Sequence, residues 1–290
     1  MFRVRHVTRY RYAKAVRFGE HRMMLRPRED QDQELLFERL IITPEPRRIE
    51  LRRDSQGNFV AIAQFRDAGR ELCFDSEVVV ARSPSPLLDI PSPALWPFPV
   101  DVLADESDPA LWAERFMART GGAVLPAVAG MNDFIHRSFS YRHRLERGVQ
   151  TAPETLRLRS GACRDFAVLL VAAARSLGLH ARFVSGYVHC PALGNEPQSL
   201  AGGHTHAWAQ VLTAEAGWVD FDPTSGKVAP QGLVRVAVAD DPAEAVPIEG
   251  VFLGEAADFL DMQVDVAVQC EAPASNWPPR LEPSPLSSVA

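Results

Sequence analysis

The stretch SGACRDFAVLLVAAARS, residues 160–176, decides how the second half of this chain folds. Its apolar side chains recur with the spacing of a single helical face: Phe166, Leu169, Leu170, Ala173 and Leu177. Gly178 is a natural terminator for this helix. Cys163 falls in the first turn, where the partial positive charge of a helix N-terminus favours a thiolate. The pattern predicts an amphipathic helix with a reactive thiol at its start, although a purely structural cysteine fits the same position.

The sequence after this helix predicts an antiparallel sheet. Its strand-like runs are 181–188, 204–212, 218–221, 233–239 and 259–268. A hairpin that turns near residues 213–217 pairs residues whose numbers sum to about 430, which places His206 and Asp222 on one face within about one rung. An aspartate that accepts the imidazole N–H fixes the tautomer of the ring and stabilises imidazolium. His206 is therefore a candidate base with Asp222 as its partner, and a histidine packed for structural reasons is the alternative.

The remaining segments differ in composition and indicate two domains. The predicted division is an N-terminal β domain, a proline-rich linker, a catalytic domain and a flexible proline-rich tail, at 1–82, 83–100, 101–270 and 271–290. The first part has short strand-like runs and turn signals, which suggest a β-sandwich-like domain. Helical patterns at 109–119, 126–139 and 151–160 precede the cysteine helix. The predicted fold class is α+β, with the cysteine-bearing helix packed on an antiparallel sheet.

Composition and charge exclude several classes of protein. The 290 residues carry 31 basic and 37 acidic side chains, a net charge of −6, which argues against a general nucleic-acid binder. Four cysteines are too few for a disulfide-dense secreted scaffold. Because no apolar run reaches the length of a membrane span and no signal peptide is apparent, we expect a cytoplasmic protein without membrane association. The arginines near the start, Arg3 to Arg11, fit the solvated face of a strand better than a partner patch.

Three motifs in order resemble the transglutaminase core, which is also found in bacterial transglutaminase-like cysteine proteases. They are GACRDFAVLL at 161–170, HAWAQV at 206–211 and GWVDFDPT at 217–224. The patterns HVTRYRY, LRPR and DSQGN resemble the β domain that precedes this core in bacterial members. The resemblance covers most of residues 1 to about 225. It implies a papain-like fold in which Cys163 is the nucleophile, His206 the general base and Asp222, rather than the nearby Asp220, the orienting carboxylate.

The resemblance implies acyl transfer through a thioester, with hydrolysis of a peptide or carboxamide bond as the favoured outcome. Transamidation or deamidation of protein glutamine, and a non-catalytic protein-binding module of the same fold, remain alternatives. The implied partner is a peptide or protein amide, and relatives suggest association with ATP-grasp-type peptide-ligating proteins. No cofactor is expected, since the sequence has no phosphate-cradling glycine motif and no calcium loop.

A zinc site is the competing interpretation of the histidine-rich stretch. His189, Cys190, His204 and His206 are residue types that bind zinc. A loop of 13 residues, 191–203, separates them, and no C-x-x-C pair is present. The sequence therefore favours a thiol site over a metal site.

Overall fold

The computed structural model describes residues 1–83, 107–144, 146, 148–189, 204–214 and 216–271. Nearly all of the predicted linker, Cys190 and the tail beyond Glu271 lie outside the described residues. The fold class is α+β, as predicted from the sequence. Helices and an antiparallel sheet form the core around Cys163, and the N-terminal strands form a curled sheet beside it.

The N-terminal sheet is built around one long strand. Its members are β1 Phe2–Met23, β2 Gln33–Thr43, β3 Arg48–Arg53, β4 Phe59–Gln64 and β5 Ala68–Arg82, in the spatial order β2-β5-β1-β4-β3. The first half of β1 pairs with β5, whereas its last three residues, His21 to Met23, pair with β4. Because the partner of β1 changes along its 22 residues, the sheet curls around its own apolar face.

Four helices and two short strands lead to the site. They are α1 Pro109–Arg119, α2 Val124–Ser138, β6 Ser140–Tyr141, α3 Ala152–Leu158, β7 Ser160–Gly161 and α4 Cys163–Ser176. The predicted helices are confirmed within a few residues, and their predicted caps are present. Asp108 accepts from Ala110 N–H at 2.8 Å, and Thr151 Oγ1 accepts from Glu154 N–H at 3.3 Å. Gly178 adopts a left-handed φ of 78° just beyond α4.

The second sheet carries the apolar face of α4. Its strands are β8 Ala181–Val188, β9 His204–Thr213, β10 Gly217–Asp222, β11 Lys227–Val228 and β12 Leu233–Ala239, in the order β11-β10-β9-β8-β12. The predicted hairpin register is confirmed, since Val219 pairs with Val211 and Phe221 with Ala209. The buried side chains of α4 pack with inward-facing residues of β9 and β10, so that the helix start is fixed relative to both strands.

The C-terminal strands join the N-terminal sheet, a pairing that the sequence did not predict. Strands β13 Ile248–Leu253 and β14 Phe259–Cys270 both pair with β1 and not with the second sheet. Pairs run from Phe2 with Cys270 to Tyr12 with Phe259. One edge of β1 pairs with β5, and β14 pairs with the opposite edge over the same residues. Alternation of apolar and polar residues predicts a strand but not the sheet that the strand joins, so the sequence could not assign β13 and β14 to either sheet.

The N-terminal arginines lie on the solvated face of β1 and are paired with acidic residues. Arg5 donates to both carboxylate oxygens of Asp75 at 3.1 and 2.8 Å, and Arg11 makes a similar pair with Asp261. These exposed pairs hold neighbouring strands in register and contribute modestly to stability. The structure thus confirms the interpretation of this cluster as a strand face.

Side chains of the N-terminal sheet cover the edge of β12. Gln33 donates from Nε2 to the Arg235 carbonyl at 2.8 Å and accepts from the Arg235 N–H at 2.9 Å. Asn58 does the same for Val238, at 2.7 and 2.9 Å. Each amide side chain makes the pair of backbone hydrogen bonds that a residue of a neighbouring strand would make. The edge of the second sheet is thereby satisfied by side chains from the N-terminal part of the chain.

Candidate active site

Cys163 opens α4, and a buried aspartate anchors the turn that carries it. Asp165 Oδ2 accepts from the Ala162 N–H at 2.8 Å, while its Oδ1 accepts from Arg144 and from the Gln150 N–H, each at 2.7 Å. The carboxylate therefore ties the helix start to the loop before α3. Sequence reasoning missed this residue, although an acidic side chain at the third helical position is a usual capping signal. Cys163 itself remains partly exposed.

His206 and Asp222 come from adjacent strands and meet beside the thiol. His206 Nε2 lies 3.0 Å from Asp222 Oδ1, although the N–H is not well aligned with that oxygen. Asp222 is held by the Thr224 N–H at 3.0 Å and by the Ser225 hydroxyl at 2.6 Å. Since Nε2 faces the carboxylate, Nδ1 is left for Cys163, whose sulfur interacts with the His206 ring and the Ala207 N–H. The structure brings together all three predicted residues.

The three groups shift one another's protonation. Burial alone would raise the pKa of the Cys163 thiol, but the hydrogen bond and the charge of His206 outweigh burial and lower that pKa. Burial alone would lower the pKa of His206, but its contacts with Asp222 and Cys163 raise that pKa to about 10. The pKa of Asp222 is lowered because the contact with His206 outweighs burial. These shifts favour the thiolate–imidazolium pair over the neutral thiol–imidazole pair.

Tyr141 is a further neighbour of the sulfur that sequence reasoning missed. It lies on β6, which pairs in parallel with β7 directly before Cys163. Burial and the neighbouring sulfur of Cys163 raise the pKa of Tyr141 to about 12, so its hydroxyl stays protonated and can donate to that sulfur. No local pattern predicts this contact, because Tyr141 lies 22 positions before Cys163 and strands of two residues are too short to show a pattern.

Asp220 has a structural environment different from that of Asp222. Asp220 Oδ1 accepts from Trp208 Nε1 at 2.8 Å and from Gln210 Nε2 at 2.7 Å. Its Oδ2 accepts from Arg235 Nη1 at 2.9 Å. The Trp208 ring is fully buried and stacks on the His206 ring, with centroids 6.0 Å apart and planes 25° apart. Asp220 therefore fixes the wall behind the imidazole rather than contacting it.

Arg235 connects this wall to the N-terminal sheet segment. Its guanidinium contacts Asp220, Asp32 and Asp30, and Arg82 donates to Asp32 at 2.9 Å. A register shift between Arg235 and Ala237 on β12 marks a bulge at this point. The buried cation is thus matched by carboxylates from both domains, as a buried charge requires.

This arrangement of thiol, imidazole and carboxylate can perform nucleophilic chemistry, and the zinc interpretation involves a different set of residues. Within the described ranges, no group of three or more His, Cys, Asp or Glu residues is arranged to hold a metal ion. Two residues of the zinc hypothesis, Cys190 and the side chain of His204, lie outside the described residues. His189 Nδ1 instead lies 3.2 Å from the Val268 carbonyl.

The fold and the site together define a class of α+β protein in which a thiol at a helix start meets a histidine and an aspartate from neighbouring strands. Residues 112–223 match the family model of the transglutaminase-like superfamily. Residues 2–81 match the bacterial transglutaminase-like N-terminal region. Both matches agree with the resemblance drawn from the motifs. Neither match reaches the returning strands β13 and β14.

Relatives and solved structures are consistent with this assignment. The uncharacterized protein Rv2569c of Mycobacterium tuberculosis is 29% identical, covering 91% of this chain and 92% of its own. The uncharacterized protein ML0607 of Mycobacterium leprae is 35% identical over 37% of each chain. A crystal structure from Cytophaga hutchinsonii, named as a candidate cysteine protease, aligns with a TM-score of 0.65 at 21% identity. It covers 93% of this chain and 91% of that chain, and shows that the whole fold is shared.

Proposed function

We propose that this protein is a thiol-dependent hydrolase of peptide or carboxamide bonds. The family and fold are those of cysteine-type hydrolases and acyltransferases. The observation that carries the proposal is the meeting of Cys163, His206 and Asp222, with a thiol pKa below its ordinary value. A buried group with such a shift and a specific charge partner is typical of a functional site.

The proposed reaction uses each group in turn. The Cys163 thiolate attacks the amide carbonyl carbon, and a tetrahedral intermediate forms. The His206 imidazolium protonates the leaving nitrogen, the C–N bond breaks, and an acyl thioester remains on the sulfur. His206 then takes a proton from water, which attacks the thioester and releases the acid. Asp222 keeps the ring oriented and stabilises its charge throughout.

The backbone N–H of Cys163 is our candidate donor to the oxyanion of the intermediate, since it stands at the free start of α4. A cytoplasmic location and a partnership with peptide-ligating proteins remain proposals. No helix among the described residues has the length and apolarity that a membrane crossing would need.

A peptide library tests the function directly. The protein is incubated with glutamine-containing peptides, with and without an added primary amine, and products are read by mass spectrometry. Shortened peptides are expected for wild type and are lost in Cys163→Ala, whereas Cys73→Ala, which removes a thiol from the other sheet, retains turnover. Ammonia release without cleavage would indicate deamidation, and amine adducts would indicate transamidation.

Labelling of the thiol separates an enzyme from a binding module. Iodoacetamide should modify Cys163 faster than Cys73 or Cys270, because it reacts with the thiolate. Equal labelling of the three cysteines, together with no turnover of any peptide, would leave the non-catalytic binding module as the better interpretation.

A further inference from the structure

A cavity of about 410 Å³ is lined by residues that lie close in sequence to Cys163. Ser160 and Gly161, which immediately precede Ala162 and Cys163, form part of its wall. Arg142 forms another part and is fixed there, since its N–H donates to the Gly161 carbonyl at 2.8 Å. Arg142 also follows Tyr141, whose hydroxyl interacts with the cysteine sulfur. The wall of the cavity is therefore connected through the chain both to Tyr141 and to the helix start that carries Cys163.

The chain around the cavity is basic in an otherwise acidic protein. Residues 140–164 hold six arginines against two glutamates, a net charge of +4, whereas the whole chain has a net charge of −6. Such a local concentration of one sign next to a reactive group attracts a substrate of the opposite sign. The question is which of these charges are already neutralised within the protein.

The cationic side chains of the wall differ in their partners. Arg144 is neutralised, because it lies 2.7 Å from the buried carboxylate of Asp165 and 3.6 Å from Glu146. Arg142 has no acidic partner among the described residues. Arg164, just behind the wall, donates only to the carbonyls of residues 144 and 146, at 3.3 and 2.6 Å. Within the part of the chain that the structure describes, the guanidinium groups of Arg142 and Arg164 therefore have no carboxylate partner.

Other polar atoms of the wall also suit an anion. Ser160 Oγ is buried and has no hydrogen-bond partner within the described part of the chain. Gln150 Oε1 is occupied by the Thr155 hydroxyl at 3.0 Å, which leaves its NH₂ group as the free end. A buried hydroxyl without a partner is costly and is usually satisfied by water or ligand. These donors face a cavity in which Glu146 is the acidic member of the wall, and its side chain is 71% exposed.

We propose that this cavity binds a carboxylate of the substrate, so that the enzyme acts on an amide next to an acidic residue of a peptide. Arg142 is the specificity-determining side chain, and a guanidinium matches a carboxylate in both charge and geometry. This inference rests on the proposed function, since it assumes that the ligand is held for reaction at Cys163. The volume fits one or two residues of a peptide rather than a folded partner.

Two alkylating probes test the charge of the cavity without knowledge of the substrate. Iodoacetate and iodoacetamide react alike with a thiolate and differ in one negative charge. Their rates at Cys163 are measured by mass spectrometry at low ionic strength. The His206 imidazolium also favours iodoacetate, so the informative quantity is the change in the iodoacetate-to-iodoacetamide ratio between variants. The variants are Arg142→Gln, Arg142→Lys and, as a distant control, Arg48→Gln on strand β3.

The ratio should fall about threefold or more in Arg142→Gln, as expected for removing one charge at about 10 Å. It should recover in Arg142→Lys, stay at the wild-type value in Arg48→Gln, and lose its dependence on residue 142 in high salt. A ratio in Arg142→Gln equal to that of wild type would overturn the proposal. Rapid iodoacetamide labelling alongside that result would leave the thiol-hydrolase function intact, so the two failures are distinguishable.

Protection from alkylation tests binding of a peptide. Triglutamate should slow iodoacetamide labelling of wild-type Cys163 at concentrations where triglutamine does not, and this difference should disappear in Arg142→Gln. Equal protection by both peptides would show that the cavity does not select carboxylates.

Discussion

Asp220 and Asp222 lie on one face of β10, and replacing each in turn tests which carboxylate supports the fold and which supports the reactivity of the thiol. Both are buried, at 4% and 3% exposure, and they are two residues apart. Asp220 holds Trp208 and Arg235, whereas Asp222 faces His206. Replacing each by asparagine keeps the shape and removes the charge. We expect Asp220→Asn to lose stability and Asp222→Asn to lose reactivity.

The cost of Asp220→Asn follows from its contacts. The carboxylate accepts from two neutral donors and lies 2.9 Å from Arg235 and 3.9 Å from Arg82. Asparagine retains one acceptor oxygen, but its NH₂ group either meets a guanidinium or displaces a neutral donor. Removing one member of a buried ion pair costs about 3–5 kcal/mol. Since Arg235 keeps contacts with Asp30 and Asp32, we expect roughly 3 kcal/mol.

Asp222→Asn should cost less stability but change the chemistry. The asparagine oxygen can take the place of Oδ1 and accept from the Thr224 N–H, while its NH₂ group can donate to the Ser225 hydroxyl oxygen, so we expect a loss of only about 1 kcal/mol. Without the carboxylate charge, the pKa of His206 falls, and the imidazolium no longer lowers the pKa of Cys163. The pH midpoint of Cys163 alkylation should therefore move upward, and peptide turnover should fall by about 100-fold or more.

Urea unfolding followed by tryptophan fluorescence measures the first effect, and the pH profile of iodoacetamide labelling measures the second. Each variant is measured in both assays, with wild type as reference. The reasoning fails if Asp220→Asn unfolds at the wild-type urea concentration, or if Asp222→Asn labels with the wild-type pH midpoint.

Two further predictions concern the contact between the domains. His6 is buried between Tyr187 and Thr8, and burial lowers its pKa to about 4 from an ordinary 6.5. The unfolded chain then binds the proton that the folded chain excludes, so stability should fall by about 3 kcal/mol between pH 6.5 and pH 4; urea unfolding across this range should show a weaker dependence in His6→Gln. Asn58→Ala leaves both Val238 backbone groups without partners and should cost about 2–3 kcal/mol. Gln64→Ala, which removes an exposed side chain, should stay within about 0.5 kcal/mol of wild type in the same assay.

The sequence predicts those parts of the fold that depend on local pattern. The apolar spacing from Phe166 to Leu177 identifies α4, and a short hairpin leaves one register for β9 and β10. That register was enough to place His206 beside Asp222, because the loop of the hairpin fixes which residues oppose each other. Cys163 then needed only its position at the helix start.

Other features depend on contacts between distant segments, which no local pattern encodes. The strand run at 259–268 was correctly predicted, but its partner was β1, more than 240 residues earlier. The sequence assigns no role to Asp220 beside Asp222, whereas in the structure both Trp208 and Arg235 donate hydrogen bonds to Asp220. A buried charged residue can be predicted from sequence only when its oppositely charged partner is close in the chain. The partner of Asp220 is Arg235, which lies on a different strand.

These long-range contacts bear on why the N-terminal domain exists. A separate binding module would leave the edge of β12 open, yet Gln33 and Asn58 supply the hydrogen bonds of a neighbouring strand to it. The same domain supplies Asp32 to Arg235, and through Asp220 this pair supports the Trp208 ring behind His206. The C-terminal strands return to β1, so the chain closes around the core from both ends. The N-terminal domain is thus explained as a structural part of the thiol site, and recruitment of a protein partner is not needed to account for it.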